Sequence, residues 1–220
     1  MLLAFSGKKG SGKSTACKLT QEIFLEEGLG LIEIKSFAEP IYNLVSEMLG
    51  VPVSYIKEHK DNGQQIPLPK FSKDPIIDEG GNHWVYNPVN FRQILQTIGM
   101  NLRESDESAW LNCLFGRFDA KYLYDVQNSI SWVIEDLRFE NEIKRIKNLQ
   151  GVVIRVMRED LICDDENISE TSLDSYQRYD FIVANDGSID QFKKNISEII
   201  HQIVLSKNDP EYEAKTHYYW

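Results

Sequence analysis

Residues 7–15 read Gly-Lys-Lys-Gly-Ser-Gly-Lys-Ser-Thr and satisfy G-x-x-x-x-G-K-[ST], with Gly7 first and Gly12, Lys13 and Ser14 closing it. The apolar run Met1-Leu2-Leu3-Ala4-Phe5 precedes them and an amphipathic segment follows. That is the strand, loop and helix order a phosphate-binding loop needs. Gly10 and Gly12 let the backbone turn until successive N–H groups face one centre, and the positive end of the next helix adds attraction for an anion. On this reading Lys13 reaches the β- and γ-phosphates of a nucleoside triphosphate, and Ser14 ligates Mg²⁺. The competing reading, a glycine-rich turn with exposed lysines, leaves the flanks unexplained.

Downstream, Ala16, Leu19, Ile23 and Phe24 recur at helical spacing as far as Glu26-Glu27-Gly28, predicting a helix of about four turns with Cys17 on its core face. Residues 30–35 predict a second strand. Ser36-Phe37-Ala38-Glu39-Pro40 leads into a helix holding Ile41, Leu44, Val45 and Met48, with Pro40 in its first turn. Strand, loop, helix, strand, helix is the opening of a wound parallel sheet.

Residues 50–90 break this pattern, with five of the seven prolines between Pro52 and Pro88. Pro75-Ile76-Ile77 and His83-Trp84-Val85-Tyr86 flank Gly80-Gly81-Asn82, which predicts a β-hairpin or flap inserted into the domain. A segment this long reads either as surface loop or as cover for a substrate.

Phe91, Ile94, Leu95, Ile98 and Leu102 then define one helical face, and Arg92, Gln96, Gly99 and Arg103 another. The polar face suits solvent, or a phosphate and a base. Ser105-Asp106-Glu107 supplies capping chemistry ahead of a stripe of Trp110, Leu111, Leu114, Phe115 and Phe118. Trp110 reads as core or as the wall of a pocket.

Residues 131–136 form a short apolar run ending in acids, as in a buried parallel strand whose carboxyl end faces a site. Asp136, Arg138 and Glu142 follow one another at this strand-to-helix junction. Asp136 suits a Mg²⁺ water shell or an acceptor, and Arg138 a phosphate; the alternative is a helix-capping cluster with internal ion pairs. Phe139, Ile143, Ile146 and Leu149 predict a helix stopped by Gly151, and residues 152–157 a strand that delivers Arg155 and Arg158. From Glu159 to Asp174 there are seven acids and no base, which reads as a lid arm or loop. Residues 180–184 predict a last strand. Asn185-Asp186-Gly187-Ser188 opens a helix holding Ile189, Phe192, Ile196, Ile199, Ile200 and Ile203, with Ser188 and Gln191 as a capping box. Residues 206–220, polar and then aromatic, suit a frayed tail or a partner contact.

The 220 residues carry 24 basic and 34 acidic side chains, a net charge of −10. Such a balance argues against long nucleic acid as a partner. A small anion needs only a local cluster of Arg and Lys. No apolar run approaches the ~20 residues of a membrane span, and the apolar start is short and lacks a basic leader, so neither membrane nor export is expected. Cys17, Cys113 and Cys163 are odd in number without a C-x-x-C pair, which fits a reducing cytoplasm and neither a disulfide framework nor a zinc site. His59, His83, His201 and His217 are scattered and read as surface or satisfied groups.

Taken together, the chain resembles the phage-type deoxynucleoside monophosphate kinases, P-loop proteins of the nucleoside monophosphate kinase fold. The likeness rests on Gly7 to Thr15, Phe37-Ala38-Glu39-Pro40, residues 91–99 (Phe-Arg-Gln-Ile-Leu-Gln-Thr-Ile-Gly) followed by Trp110, residues 134–138 (Ile-Glu-Asp-Leu-Arg) with Glu142, Ser169-Glu170, and Asn185 to Ser188. It leaves out residues 50–90 and the last fifteen.

The resemblance implies a three-layer α/β fold with a mainly parallel central sheet in a single domain, residues 1–205. Within it lie an acceptor-side insertion near 50–90 and a lid near 158–178, and residues 206–220 form a tail. It implies transfer of the ATP γ-phosphoryl group to a deoxynucleoside 5′-monophosphate, with ATP and Mg²⁺ as cofactors. By motif match, Lys9, Gly10, Gly12, Lys13, Ser14 and Thr15 bind ATP, with Asn185 and Asp186 near the adenine. Arg92, Gln96, Gly99, Arg103, Trp110, Asp136, Arg138 and Glu142 line the acceptor site. Lys13, Asp136, Arg138 and the lid-side Arg158 carry the chemistry, and Ser14 and Asp136 serve the metal. A homodimer is implied, in a host cytoplasm if the gene belongs to a phage.

The acceptor is itself a nucleophilic phosphate, so positioning and charge neutralisation suffice without a strong base. Relatives often carry Lys where Tyr42 stands and Thr-Asp where Met100-Asn101 stand, so the accepted base is left open. Two rivals remain. One is a P-loop kinase for another small acceptor, such as a modified deoxynucleotide or dephospho-coenzyme A. The other is a nucleotide-binding switch, although a guanine-reading N-K-x-D is absent from the sequence.

Overall fold

Leu2 to Ser6 are all buried, as expected of a strand covered on both faces. They form β1 (Leu2–Ser6) of a computed structural model that describes residues 1–63, 65–66, 76–77, 84–85, 89–159, 161, 167–208 and 217–219. The chain continues through α1 (Lys13–Glu26), β2 (Leu31–Lys35), α2 (Glu39–Leu49) and α3 (Val53–His59). Four two-residue strands follow, β3 (Gln65–Ile66), β4 (Ile76–Ile77), β5 (Trp84–Val85) and β6 (Val89–Asn90). Next come α4 (Phe91–Ser105), α5 (Ala109–Phe115), α6 (Ala120–Gln127), β7 (Ile130–Leu137), α7 (Glu140–Asn148) and β8 (Val152–Met157). The last elements are α8 (Ile168–Thr171), β9 (Phe181–Ala184), α9 (Ile189–Asn208) and β10 (His217–Tyr219).

Two compact units result, one of Met1–Phe37 with Leu111–Trp220, the other of Ala38–Trp110. The first is a three-layer α/β unit. Its sheet runs β10-β9-β8-β1-β7-β2 with every described pairing parallel. Alternation along β1 sends Leu3 and Phe5 to one face, where they meet Ala16, Leu19, Ile23 and Phe24 of α1 and Phe192, Ile196 and Ile200 of α9. Leu2 and Ala4 face the other way, among Leu111, Leu114, Phe115, Tyr122, Ile143 and Ile146. Each fully buried Leu, Ile or Phe contributes about 1.5–3 kcal/mol against solvent exposure, so both helix layers are held by the sheet.

β1 lies between strands from later in the chain. The path goes from β1 outward to β2 on one side, then from β7 across β1 to β8 on the other. Ser6 is in register with Leu137 of β7 and Arg155 of β8, which brings three carboxyl ends together where the winding reverses. Open α/β sheets form their ligand crevices at such a point.

The second unit gathers α2, α3 and α4 around Tyr42, Val45, Ile56, Phe91 and Ile94. Ile76 and Ile77 pair antiparallel with Val85 and Trp84, the hairpin ladder expected around the Gly80-Gly81-Asn82 turn; the turn lies outside the described residues. The helix α3 was not anticipated among the prolines. Pro52, at φ −62°, is its N-cap, where a missing N–H costs nothing.

Several apolar positions expected in the core are exposed: Leu44, Met48, Leu102, Phe118 and Ile189. On α2 the buried residues are Tyr42 and Val45. Phe118 is 79% exposed because the chain turns at Gly116–Asp119, with positive φ at Phe118 and Asp119, and the helical phase carried from Trp110 is lost there. Cys17 is in the core as expected. Ser188 Oγ accepts the Gln191 N–H at 3.2 Å, one half of the expected capping box. The aromatic end of the chain, read as tail or contact, adds β10 beside β9. Among the described residues no helix is long and apolar enough to cross a membrane.

Candidate active site

Where β1 ends, the backbone turns through Gly10 and Gly12, both at positive φ (83° and 104°). Gly12 is the N-cap of α1, and no side chain caps that helix. A 14-residue helix thus begins at the loop with no side-chain cap among the described residues, and a helix N-terminus of this kind attracts an anion. Lys13 Nζ donates to the carbonyls of Gly7 and Lys8 at 2.7 and 2.8 Å, so its ammonium is drawn into the loop. Ser11 is buried and its Oγ has no partner among the described residues. A methyl group at Gly12 would stand 2.4 Å from Asn185 Nδ2. The cradle, cation and orphaned hydroxyl fit a polyphosphate.

Asn185 comes from the end of β9. Its Nδ2 donates to Ser11 O at 2.9 Å and its backbone N–H to Met157 O at 2.8 Å. Asp186 accepts the Glu159 N–H at 2.7 Å. Lys8 forms an ion pair with Asp174. Lys9, Gly10 and Ser14 are exposed, while Thr15 is half-buried.

At the end of β7, Asp136 accepts from Ser36 Oγ and from the Phe37 N–H, both at 2.8 Å, and so ties the ends of β7 and β2 together. Glu142 is buried and accepts the N–H groups of Arg138 and Phe139 at 2.8 and 3.0 Å. The capping alternative therefore describes Glu142. Arg138 Nη1 reaches Ser169 O and Oγ at 3.2 and 3.4 Å, and Ser172 Oγ donates to Arg138 O. Arg155 Nη1 donates to Ser6 Oγ at 3.0 Å and lies over the Tyr179 ring. Arg158 is exposed beyond β8. Of the expected lid, residues 160 and 162–166 lie outside the described residues. Beneath the loop, burial pushes the Cys17 thiol well above its ordinary range, with the Glu135 and Asp136 charges adding to the shift.

In the second unit, α4 carries Arg92, Gln96, Gly99 and Arg103 as its sequence predicted. Asn90 caps it with a complete capping box through Gln93. Arg92 Nε donates to Asp61 at 2.9 Å, and Arg103 Nη1 reaches Glu107 O at 3.5 Å. A methyl at Gly99 would stand 3.2 Å from Ile41 Cδ1, so α2 and α4 approach closely there. Trp110 is buried and its Nε1–H donates to Gly99 O at 2.9 Å. Gln96 is half-buried.

The roles of Arg155, Ser36 and Ser11 were not legible beforehand. Only strand register places Arg155 beside Ser6, and only the β2–β7 pairing places Ser36 beside Asp136. Among the described residues, no three His, Cys, Asp or Glu side chains gather to hold a metal. His59 Nδ1 lies 2.9 Å from Tyr55 O and His201 Nε2 2.7 Å from Glu27.

Residues 34–196 match the sequence profile of the family described as "Deoxynucleotide monophosphate kinase", well over half of the chain and all downstream of the loop. A protein of Acanthamoeba polyphaga mimivirus named "Putative deoxynucleotide monophosphate kinase" is 28% identical over 198 residues, 89% of this chain and 94% of that protein. The crystal structure of shikimate kinase from Aquifex aeolicus aligns with a TM-score of 0.39 at 13% identity, over 93% of this chain and 99% of that one.

Proposed function

Because the chain belongs to the deoxynucleotide monophosphate kinase family, we propose that it transfers the γ-phosphoryl group of ATP to a deoxynucleoside 5′-monophosphate, yielding the diphosphate and ADP. The observation that carries this reading is a family match that begins at residue 34. It is independent of the loop at 7–15, which any NTPase could share. The geometry of the loop supports the donor half of this reading.

In this reading Lys13 leaves the Gly7 and Lys8 carbonyls for the β- and γ-phosphates, while the N–H groups of the loop and of α1 hold their oxygens. Lys9 and Thr15 are assigned to the same triphosphate, and Asn185 and Asp186 to its nucleoside end. Ser14 and Asp136 are the groups that would hold Mg²⁺, which when bound neutralises phosphate charge. An acceptor phosphate oxygen attacks the γ-phosphorus; the new P–O bond forms as the bond to the β-phosphate oxygen breaks, and ADP leaves. Arg138 holds the acceptor phosphate and Arg158 offsets charge on the transferred group. Glu142 keeps the Arg138 backbone in place. Arg92, Gln96, Gly99, Arg103 and Trp110 of the second unit are assigned to the acceptor nucleotide.

The test is a phosphorylation panel with ATP, Mg²⁺ and dTMP, dGMP, dCMP, dAMP and the ribonucleotides. At least one deoxynucleoside diphosphate is expected. The reading fails if no monophosphate is converted.

A further inference from the structure

Tyr42 is a buried polar ring of the second unit, 8% exposed among Val45, Ile56, Phe91 and Ile94. Lys57 and Lys60, one helical turn apart at the end of α3, both close on it. Their ammonium groups lie 5.3 and 5.5 Å from the ring centroid, within cation–π range. Lys60 Nζ also donates to Tyr42 Oη at 2.9 Å. Among the described residues neither lysine meets a carboxylate, although the chain as a whole has a net charge of −10. The neighbouring acid, Asp61, is engaged by Arg92.

Two like charges sharing one ring repel each other, an arrangement that an anion would relieve. The phenol accepts from Lys60, which leaves its own O–H to donate, and buried tyrosine hydroxyls normally find an acceptor. Lys60 retains N–H donors beyond the one given to Tyr42, and among the described residues Lys57 spends none on an oxygen. A tetrahedral, doubly charged phosphate monoester presents terminal oxygens to donors of this kind.

We propose that Lys57 and Lys60, organised on Tyr42, form an anion subsite for the phosphate of the acceptor nucleotide. The choice of ligand rests on the kinase reading above; the subsite rests on the geometry. Within this subsite of the second unit Lys60 makes the closer contact, Lys57 adds charge, and Tyr42 is a positioning residue that holds Lys60 while offering its own hydroxyl.

Steady-state rates of the full chain test this with Lys60→Met, Lys57→Met and Tyr42→Phe, against ATP and against an accepted monophosphate. Lys60→Met is expected to raise the acceptor KM about tenfold or more, the range for losing a charged hydrogen bond, with the ATP KM within about twofold. Lys60→Arg is expected to restore most of it. Tyr42→Phe is expected to raise the acceptor KM by about threefold with kcat unchanged. A purely structural role would lower Tm and leave both KM values alone. An unchanged acceptor KM in both lysine variants of an active enzyme overturns the subsite and leaves the kinase reading standing. If the wild type phosphorylates no monophosphate, the kinase reading fails and the subsite is judged by calorimetry with dTMP and inorganic phosphate. Phosphate-dependent binding by the wild type that a folded Lys57→Met/Lys60→Met variant lacks then supports it. Equal binding by both, or none by the wild type, overturns it.

Discussion

Asn185 Nδ2 donates to the Ser11 carbonyl at 2.9 Å, joining positions 174 residues apart in the chain. The same amide lies where a side chain on Gly12 would have to go. The loop after β9 therefore buttresses the loop after β1, and the conformation that gathers the N–H groups is held from outside as well as by its glycines. Asn185→Leu is expected to raise the ATP KM about tenfold, the effect of losing one part-buried hydrogen bond and crowding the turn, with the acceptor KM little changed. Equal rises in both KM values would separate Asn185 from the donor half.

Lys13 has its charge in the loop and hydrogen-bonds two loop carbonyls. Lys13→Met is expected to lower kcat by about a thousandfold or more, since the transferred phosphoryl group loses its cation. Thermal unfolding of the unliganded protein is expected to shift by only a few degrees. A variant retaining a tenth of the wild-type kcat would remove Lys13 from the reaction.

Glu142 and Arg138 are expected to fail in different ways. Glu142→Ala leaves two N–H groups at the start of α7 without their acceptor, a loss of about 2 kcal/mol or more that would appear as a lowered Tm. Arg138→Ala is expected to keep Tm and to raise the acceptor KM or lower kcat, with the ATP KM little changed. Normal acceptor kinetics in Arg138→Ala would take that residue out of the site.

Cys17 and Cys113 differ in burial. Peptide mapping after brief maleimide treatment at neutral pH is expected to find Cys113 modified and Cys17 intact until the protein unfolds. Burial raises the folded thiol above its ordinary value of 9.0. The unfolded thiol then ionises first, so the stability linked to Cys17 is complete below pH 9 and declines as the pH rises beyond it, by up to about 1.4 kcal/mol per unit. Denaturant melts of the wild type and Cys17→Ala across pH 8–10 measure the difference; a constant difference would contradict it.

Much of the glycine-rich loop was legible beforehand. Gly12 must accept a left-handed conformation, Lys13 follows it, and the apolar run before and the amphipathic run after fix strand and helix. The polar face of α4 was legible for the same reason, since Arg92, Gln96, Gly99 and Arg103 recur at helical spacing. The end of the stripe at Phe118 was not. Periodicity assumes one continuous helix, and two non-glycine residues at positive φ end that continuity. Trp110 and Glu142 were recognised as residues of interest, but their hydrogen bonds to Gly99 and to the Arg138 and Phe139 N–H groups required the folded backbone.

Neighbours along the chain were enough for the phosphate-binding loop, the alternating strand faces, the helix caps and the parallel winding, because glycine φ, side-chain period and capping act over a few residues. Folding in three dimensions was needed to set Asn185 on Ser11, Asp136 on Ser36 and Phe37, Arg155 on Ser6, and two lysines on Tyr42. The first three depend on which strands pair and in what register. The last depends on how α3 meets α2. Strand order and helix docking bring together groups as far as 174 positions apart, and no local propensity specifies that choice; burial summed over the whole core does.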